Sequence, residues 1–384
     1  MSKRPIDEGE LEGGDDAPNS HVLQQPSAKR RRTYTEADAK LAKIYEDLAS
    51  DDAKARVTAA IDLVHKCVEL IKSGEEADRD AFSKIQIRLI RGLCSNRKGA
   101  RIGFSLAFTE VLHATAADVW SDGSETIEAH VETLLKLIKD QAKADYASAQ
   151  EKRNYLIGRM FAYNCLIRSK ILLEDESHAA GLPMVIREVC DLGKQASSSW
   201  LKEECGLVCY EAACLVCNEL PNAKVACSIV DAMHDCSALK TPEGILVWLE
   251  FSSRIEGVAR KFPKGIWHKH NPLSGKEIGA VVKILHFVKS TDEDSSDPSG
   301  SRQTSPHFAW NVILQHLMRI DGLKSKGEDD GKAKALKNYK QFWTEAIDSE
   351  QLVNSRVDTG LTHHRHIFRT DRITGEKGSR LPSL

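Results

Sequence analysis

A chain of 384 residues with 41% hydrophobic side chains can bury a sizeable core, either as two or three domains or as one elongated repeat array. Lys+Arg 54 against Asp+Glu 56 leaves a net charge of −2, so the overall balance argues neither for nor against nucleic acid and only the distribution of charge can decide. No secretory leader and no membrane-length apolar run are read in the sequence, so no membrane partner is expected and the ten cysteines are expected to be thiols of a reducing compartment.

Residues 1–33 mix acids, Gly, Ser, Gln and Pro without a sustained apolar period and read as a disordered tail. Inside it, Lys29, Arg30, Arg31 and Arg32 form a run of positive charge suited to a nuclear import receptor that reads extended basic side chains. From 34 to 349 the pattern is helix after helix, expected near 36–49, 53–73, 77–94, 97–114, 124–144, 148–172, 182–195, 199–219, 222–235, 242–260, 274–289, 306–319 and 333–348. Ser50-Asp51-Asp52 offers capping oxygens to the second of these, and Val57, Ile61, Val64, Val68 and Ile71 predict its buried face. Leu156, Met160, Tyr163, Ile167 and Ile171 repeat the rhythm, and Thr241-Pro242-Glu243 opens a later helix with Pro in its first turn. No period-2 runs bounded by hairpin turns interrupt this pattern. The fold class is therefore all-α, and the element lengths, low aromatic content (6%) and 11 prolines predict an armadillo/HEAT-like helical repeat solenoid.

Two segments break the rhythm. Lys264–Gly275 is a long loop in which Trp267 stands beside His268, Lys269 and His270. An exposed Trp there would stack on a base or a partner, but the preferred reading has Trp267 and Leu273 pin the loop to the helices. Residues 290–306 form an acidic, Ser-rich insertion in which Ser290 and Thr291 precede acids by three positions and are candidate phosphorylation sites. After Ser349 the segment 350–384 is an irregular tail of little periodicity, whose His363, His364 and His366 are assigned no role.

The most unusual stretch is RLIRGLCSNRKGARIGFSLAFTEVL, residues 88–112. No Asp or Glu occurs from Ala81 to Thr109, while Lys84, Arg88, Arg91, Arg97, Lys98 and Arg101 do. A helix pair turning at Ser95-Asn96, with an N-cap there, brings Arg88, Arg91, Arg97, Lys98 and Arg101 to one end. Cations in a helix's first turn oppose its dipole, so Arg97 and Lys98 call for an anion. That anion is a polyanion, an acidic partner protein or a structural carboxylate from a neighbouring repeat.

Catalysis has little to stand on. There are no strands on which to hold paired metal-binding carboxylates and no phosphate-binding Gly-Lys-Ser/Thr loop, and Asp38, Asp118 and Asp140 read as ordinary surface acids. Cys205, Cys209, Cys214 and Cys217, with His234 and Cys236 later in the chain, invite a zinc reading. At roughly 100° per residue, however, Cys205 and Cys209 lie about 40° apart and the other two point well away, so core thiols are expected and no metal or cofactor is implied.

The residues Arg88, Arg91, Gly92, Arg97, Ala100, Arg101, Gly103, Phe104 and Glu110, then Gly158 to Phe161, resemble the DNA polymerase phi family. The later KFPKGIWHKHNPLSGKEIGAVVKIL, SPHFAWNVIL and NYKQFWTEAID are similar to that family's succession of segments. The resemblance spans residues 36 to 350. It implies a nucleolar protein of armadillo-like repeats acting in ribosomal DNA transcription, rRNA synthesis and ribosome biogenesis; the family name invites a polymerase reading, but the residues favour a non-enzymatic scaffold. Its implied partners are ribosomal DNA or pre-ribosomal RNA and nucleolar or transcription-factor proteins. An adaptor that grips only proteins, without touching nucleic acid, is the alternative. Family members are longer and end in an acidic stretch and a basic tail, from which 350–384 departs.

Overall fold

The computed structural model describes residues 35–120, 126–143, 148–195, 199–287, 307–318 and 337–346. Every regular element among them is helical, and none is a strand. The import run Lys29–Arg32, Ser290 and Thr291, and the 350–384 tail lie outside the described residues.

The elements are α1 (Glu36–Leu48), α2 (Ala53–Ser73), α3 (Glu76–Leu93), α4 (Lys98–Trp120), α5 (Ile127–Gln141) and α6 (Ala149–Arg168). They continue as α7 (Leu182–Gln195), α8 (Ser199–Glu219), α9 (Ala223–Asp235), α10 (Pro242–Arg254), α11 (Ile278–Phe287), α12 (Ala309–Met318) and α13, residues 337–346. No described helix is long and apolar enough to cross a membrane. The chain divides into two compact units, Met1–Lys40 and Leu41–Leu384. The described end of the first is one turn, in which the Asp38 amide donates to Thr35 Oγ1 at 3.1 Å and the Thr35 amide donates back to Asp38 at 3.0 Å.

Local chemistry sets many ends. Asp52 accepts from the amides of Lys54 and Ala55 at the start of α2, and Thr241 accepts from Gly244 ahead of Pro242 in α10. Two helices stop earlier than their apolar rhythm predicts. Helix α6 ends at Arg168 because Lys170 turns left-handed (φ 62°), which lets Ile171, Leu172 and Leu173 all point inward. A continuing helix would have rotated successive side chains by about 100° and exposed one of them. Helix α10 ends at Arg254, and Gly257 at φ 70° carries the chain into a 3-10 turn that buries Val258. Helix α12 begins at Ala309, whose amide donates to His307 Nδ1 at 3.1 Å.

Within the second unit α2 packs on α3 and α4, α3 and α4 on α6, α6 on α7 and α8, α8 on α10, and α10 on α11 and α12. Leu63, Leu89, Phe108, Tyr163, Trp248, Phe251 and Phe342 are fully buried in the resulting core. The face expected for α6 is buried through Met160, Tyr163 and Ile167, but so are Gly158, Ala162, Cys165 and Leu166, so its second half is enclosed on most sides. The face expected for α2 is buried only in part, with Val64 and Ile71 packed against the core. Val57 and Ile61 are exposed (48% and 49%), and α2 instead buries Ala59, Ala60, Leu63, Cys67 and Leu70. These mostly small side chains let α4 approach closely, a demand of the neighbour that apolar rhythm in α2 alone does not report.

The Lys264–Gly275 loop is pinned as preferred. Trp267 and Leu273 are buried, and Trp248 Nε1 donates to the His270 carbonyl at 3.1 Å. On α8, Cys205 and Cys209 face α7, whereas Cys217 faces Glu250 of α10.

One buried acid yields a prediction. Glu204 of α8 is half-buried, and its Oε2 has no hydrogen-bond partner among the described residues. Burial first, and the neighbouring Glu203 second, push its carboxyl from the ordinary 4.5 up to about 7. Because the folded state penalises the ionised form, the stability linked to this group is present below pH 4.5 and is lost as pH rises through 7. Denaturant titrations of Glu204→Gln are expected to show a gain of about 1–3 kcal/mol over the wild type above that window and almost none below it. A gain independent of pH would show that Glu204 is not the titrating group.

Candidate nucleic-acid interface

Helix α3 turns Phe82, Ile85, Leu89, Ile90 and Leu93 into the core, which leaves Arg88 and Arg91 on its outer face. The Arg88 guanidinium lies over the rings of Tyr45 (5.4 Å to the centroid) and Phe104 (5.9 Å). Stacking of this kind fixes the position of the cation while leaving its edge available to a ligand. Arg91 Nε donates to Gln141 Oε1 of α5 at 3.0 Å, and its terminal nitrogens have no partner among the described residues.

At the turn, the expected cap at Ser95-Asn96 falls one residue later. Arg97 precedes α4, its carbonyl accepting the first helical bond from the Arg101 amide at 3.1 Å, while its own amide donates to Ser95 Oγ at 3.2 Å. Serine therefore caps the turn rather than the helix. No acid stands in the first turn of α4, as its sequence implied. A structural carboxylate does reach the site from the α1–α2 turn, with Asp51 Oδ1 3.5 Å from Arg97 Nη2. That side chain is 90% exposed, so the pair contributes little, on the order of 0–1 kcal/mol.

The five basic residues are not equivalent. Arg88, Arg91 and Arg97 line one cleft of about 640 Å³. Lys98 is exposed at the start of α4, outside the cleft, with no ion-pair partner among the described residues. Arg101 turns inward instead. Its Nη1 donates to the Ser95 carbonyl at 2.7 Å, and burial holds its guanidinium below the ordinary pKa. Lys84, paired with Asp80 on the outer face of α3, also stands apart from the cleft.

Other walls of the cleft come from α1, α5 and α6 and went unnoticed in the sequence. They bring Tyr45, Gln141, Lys143, Asn154 and Tyr155, together with the acids Asp140 and Glu151. Glu151 is committed to a capping box, accepting from the Ser148 amide and hydroxyl at 2.8 Å each, and these bonds hold its carboxyl below the usual range. The Ser-x-x-Glu spacing at 148–151 marks that helix start, but nothing local marks Tyr45 or Tyr155 as neighbours of Arg88. The cleft has the size of a small-ligand site, and its lining combines cations with aromatic faces. Such a lining can hold a phosphate oxygen by bidentate hydrogen bonds beside a flat apolar surface.

Comparison with known proteins adds a second line of observation. A family model described as DNA polymerase phi matches residues 84–359. The match starts within α3 and continues past the last described helix. The chain is 23% identical over 277 residues to the rDNA transcriptional regulator pol5 of Schizosaccharomyces pombe, covering 72% of this chain and 26% of that protein. It is 22% identical over 349 residues to the rDNA transcriptional regulator POL5 of Saccharomyces cerevisiae, covering 82% of this chain and 33% of that one. The chain thus spans between a quarter and a third of the length of these curated relatives. No solved structure matches. Arg88, Arg91, Gly92, Arg97, Ala100 and Phe104, all in the motif that carries the resemblance, line the cleft, and the family match covers most of the sequence. The chain belongs to the DNA polymerase phi family.

Proposed function

We propose that the protein acts without catalysis in the nucleus and nucleolus, on transcription of ribosomal DNA and on ribosome assembly, as a helical scaffold that binds nucleic acid. The relatives' names as rDNA transcriptional regulators, rather than polymerases, support the process and the non-enzymatic reading. The observation that carries nucleic-acid contact is the gathering of Arg88, Arg91 and Arg97 around one aromatic-lined cleft. Arginines so placed supply affinity for phosphates of any sequence. The armadillo/HEAT-like arrangement belongs to the same reading, supported by helices that pack on the next helix and on the one after it. Lys29–Arg32 would deliver the protein through an import receptor, and phosphate on Ser290 or Thr291 would add negative charge to the insertion that holds them.

The test is binding of the full chain to duplex DNA and to structured RNA across a salt series. Affinity is expected to fall steeply, with a log–log slope of about −2 to −4 for a site of this size. A flat response, or no binding at low salt, would reject phosphate contact and move the search to acidic segments of transcription-factor or nucleolar proteins.

A further inference from the structure

Away from the cleft, the α7–α8–α9 region holds a cluster of sulfur atoms. Cys190 Sγ of α7 is 3.9 Å from Cys209 Sγ of α8. Cys236, at the end of α9, donates to Asp191 Oδ1 at 3.9 Å. Cys209 is buried at 1% exposure and Cys236 at 6%, whereas Cys190 is only half-buried. The cluster is therefore reached from solvent through Cys190.

The surrounding hydrogen bonds separate the roles of these thiols. The Cys190–Cys209 contact, in which either sulfur can donate, is the main influence holding the Cys190 thiol below its ordinary value. The neighbouring Cys236 and the charge of Lys194 act in the same direction, while burial and Asp191 oppose them. Cys209, fully enclosed, is pushed well up by its contact with Cys190 and by burial. A partly exposed cysteine 3.9 Å from an enclosed one is the arrangement found in peroxide-sensing cysteine pairs.

We propose that Cys190 is a site of oxidation by hydrogen peroxide and that it closes a reversible disulfide with Cys209, stapling α7 to α8. In the first step the Cys190 thiolate attacks one peroxide oxygen. The S–O bond forms, the O–O bond breaks, and hydroxide leaves. In the second, Cys209 sulfur attacks the sulfenic sulfur, the S–S bond forms, and the Cys209 proton departs with the hydroxyl as water. Two thiols lose two electrons, and one peroxide becomes two waters once the hydroxide is protonated. The sulfurs must approach by about 1.9 Å to reach bonding distance, a displacement that side-chain rotation on packed helices can supply. In a reducing compartment, a disulfide of this kind is expected to be transient.

The test is a peptide map of the full, reduced chain treated with hydrogen peroxide, blocked with N-ethylmaleimide and digested without reduction. A Cys190–Cys209 cross-linked peptide that disappears with dithiothreitol is expected. Cys209→Ala should replace it with a dimedone adduct on Cys190, and Cys190→Ala should abolish both. The untreated wild type gives a reading that requires no variant to fold. Iodoacetamide should modify Cys190 at least about tenfold faster than Cys227, which is half-buried as well but whose thiol burial pushes up. Equal rates at the two, or a cross-link from Cys190 to Cys236 in place of Cys209, would overturn the proposal.

Discussion

Changing Arg88, Arg91 and Arg97 together to glutamine is expected to weaken binding to duplex DNA and structured RNA on the order of 10²-fold at about 0.1 M salt. The salt slope should shrink by about one unit for each phosphate contact removed, so by as much as three for the triple variant. Glutamine keeps part of each stem while deleting the charge, and Tyr45 and Phe104 remain as an aromatic floor under position 88. The contrast with Arg101→Gln decides what kind of site this is. Arg101 is turned to the Ser95 carbonyl and is partly buried. Its loss should lower stability through the turn and leave the salt slope unchanged. Lys98→Gln, at an exposed position beside the cleft, should reduce the slope by one unit or less. Equal slopes for the triple variant, Arg101→Gln and the wild type would show that charge on the α3–α4 pair is solvated surface. Fluorescence anisotropy with thermal melts of each variant separates the two effects.

Gly103→Ala should give the largest loss of stability from a single methyl group. A Cβ at position 103 would stand 1.9 Å from the Leu48 carbonyl oxygen and 3.0 Å from Arg56 Cδ. The first obstacle is backbone at the end of α1, which cannot rotate away as a side chain can. Helices α1 and α4 would have to separate, disturbing the packing of Leu48, which is fully buried. The expected cost is about 3 kcal/mol, at the upper end for overpacking, and a fall in melting temperature of roughly 6–12 °C. Ile102→Ala, one residue earlier at a position 39% exposed, is the control and should cost less than about 1 kcal/mol. Matching losses at 102 and 103 would mean that α4 is held less closely than the structure shows. Because α4 carries Arg97 at its start, Gly103→Ala should also weaken nucleic-acid binding indirectly, by loosening one wall of the cleft.

Helical class and most element positions were legible locally. Asp52 and Thr241 set helix starts through bonds to amides within three residues, Pro242 reinforces the second by its fixed φ, and α2, α7 and α8 span the residues that periodicity predicted. The basic stretch was equally plain, because a gap in acids along the chain needs no partner to be seen. Side chains brought from elsewhere decided the rest. Val57 and Ile61 obey the helical rhythm yet are exposed, because the packing of α2 on α3 and α4 buries Ala59, Ala60 and Leu63 instead. Lys170 and Gly257 end helices early because burying Ile171, Leu172 and Leu173 in one case and Val258 in the other outweighs one more helical turn. The five cations alike in sequence were sorted by contacts more than thirty residues away for three of the arginines. Tyr45 holds Arg88, and Gln141 holds Arg91. The Ser95 carbonyl draws Arg101 inward, and Asp51 reaches Arg97 from the preceding turn. A local pattern reports which backbone a residue adopts, because the forces that set it act within a turn or two. Which way a charged side chain finally points depends on the aromatic face, carbonyl or carboxylate within about 4–6 Å of it, and only the packed helices determine that.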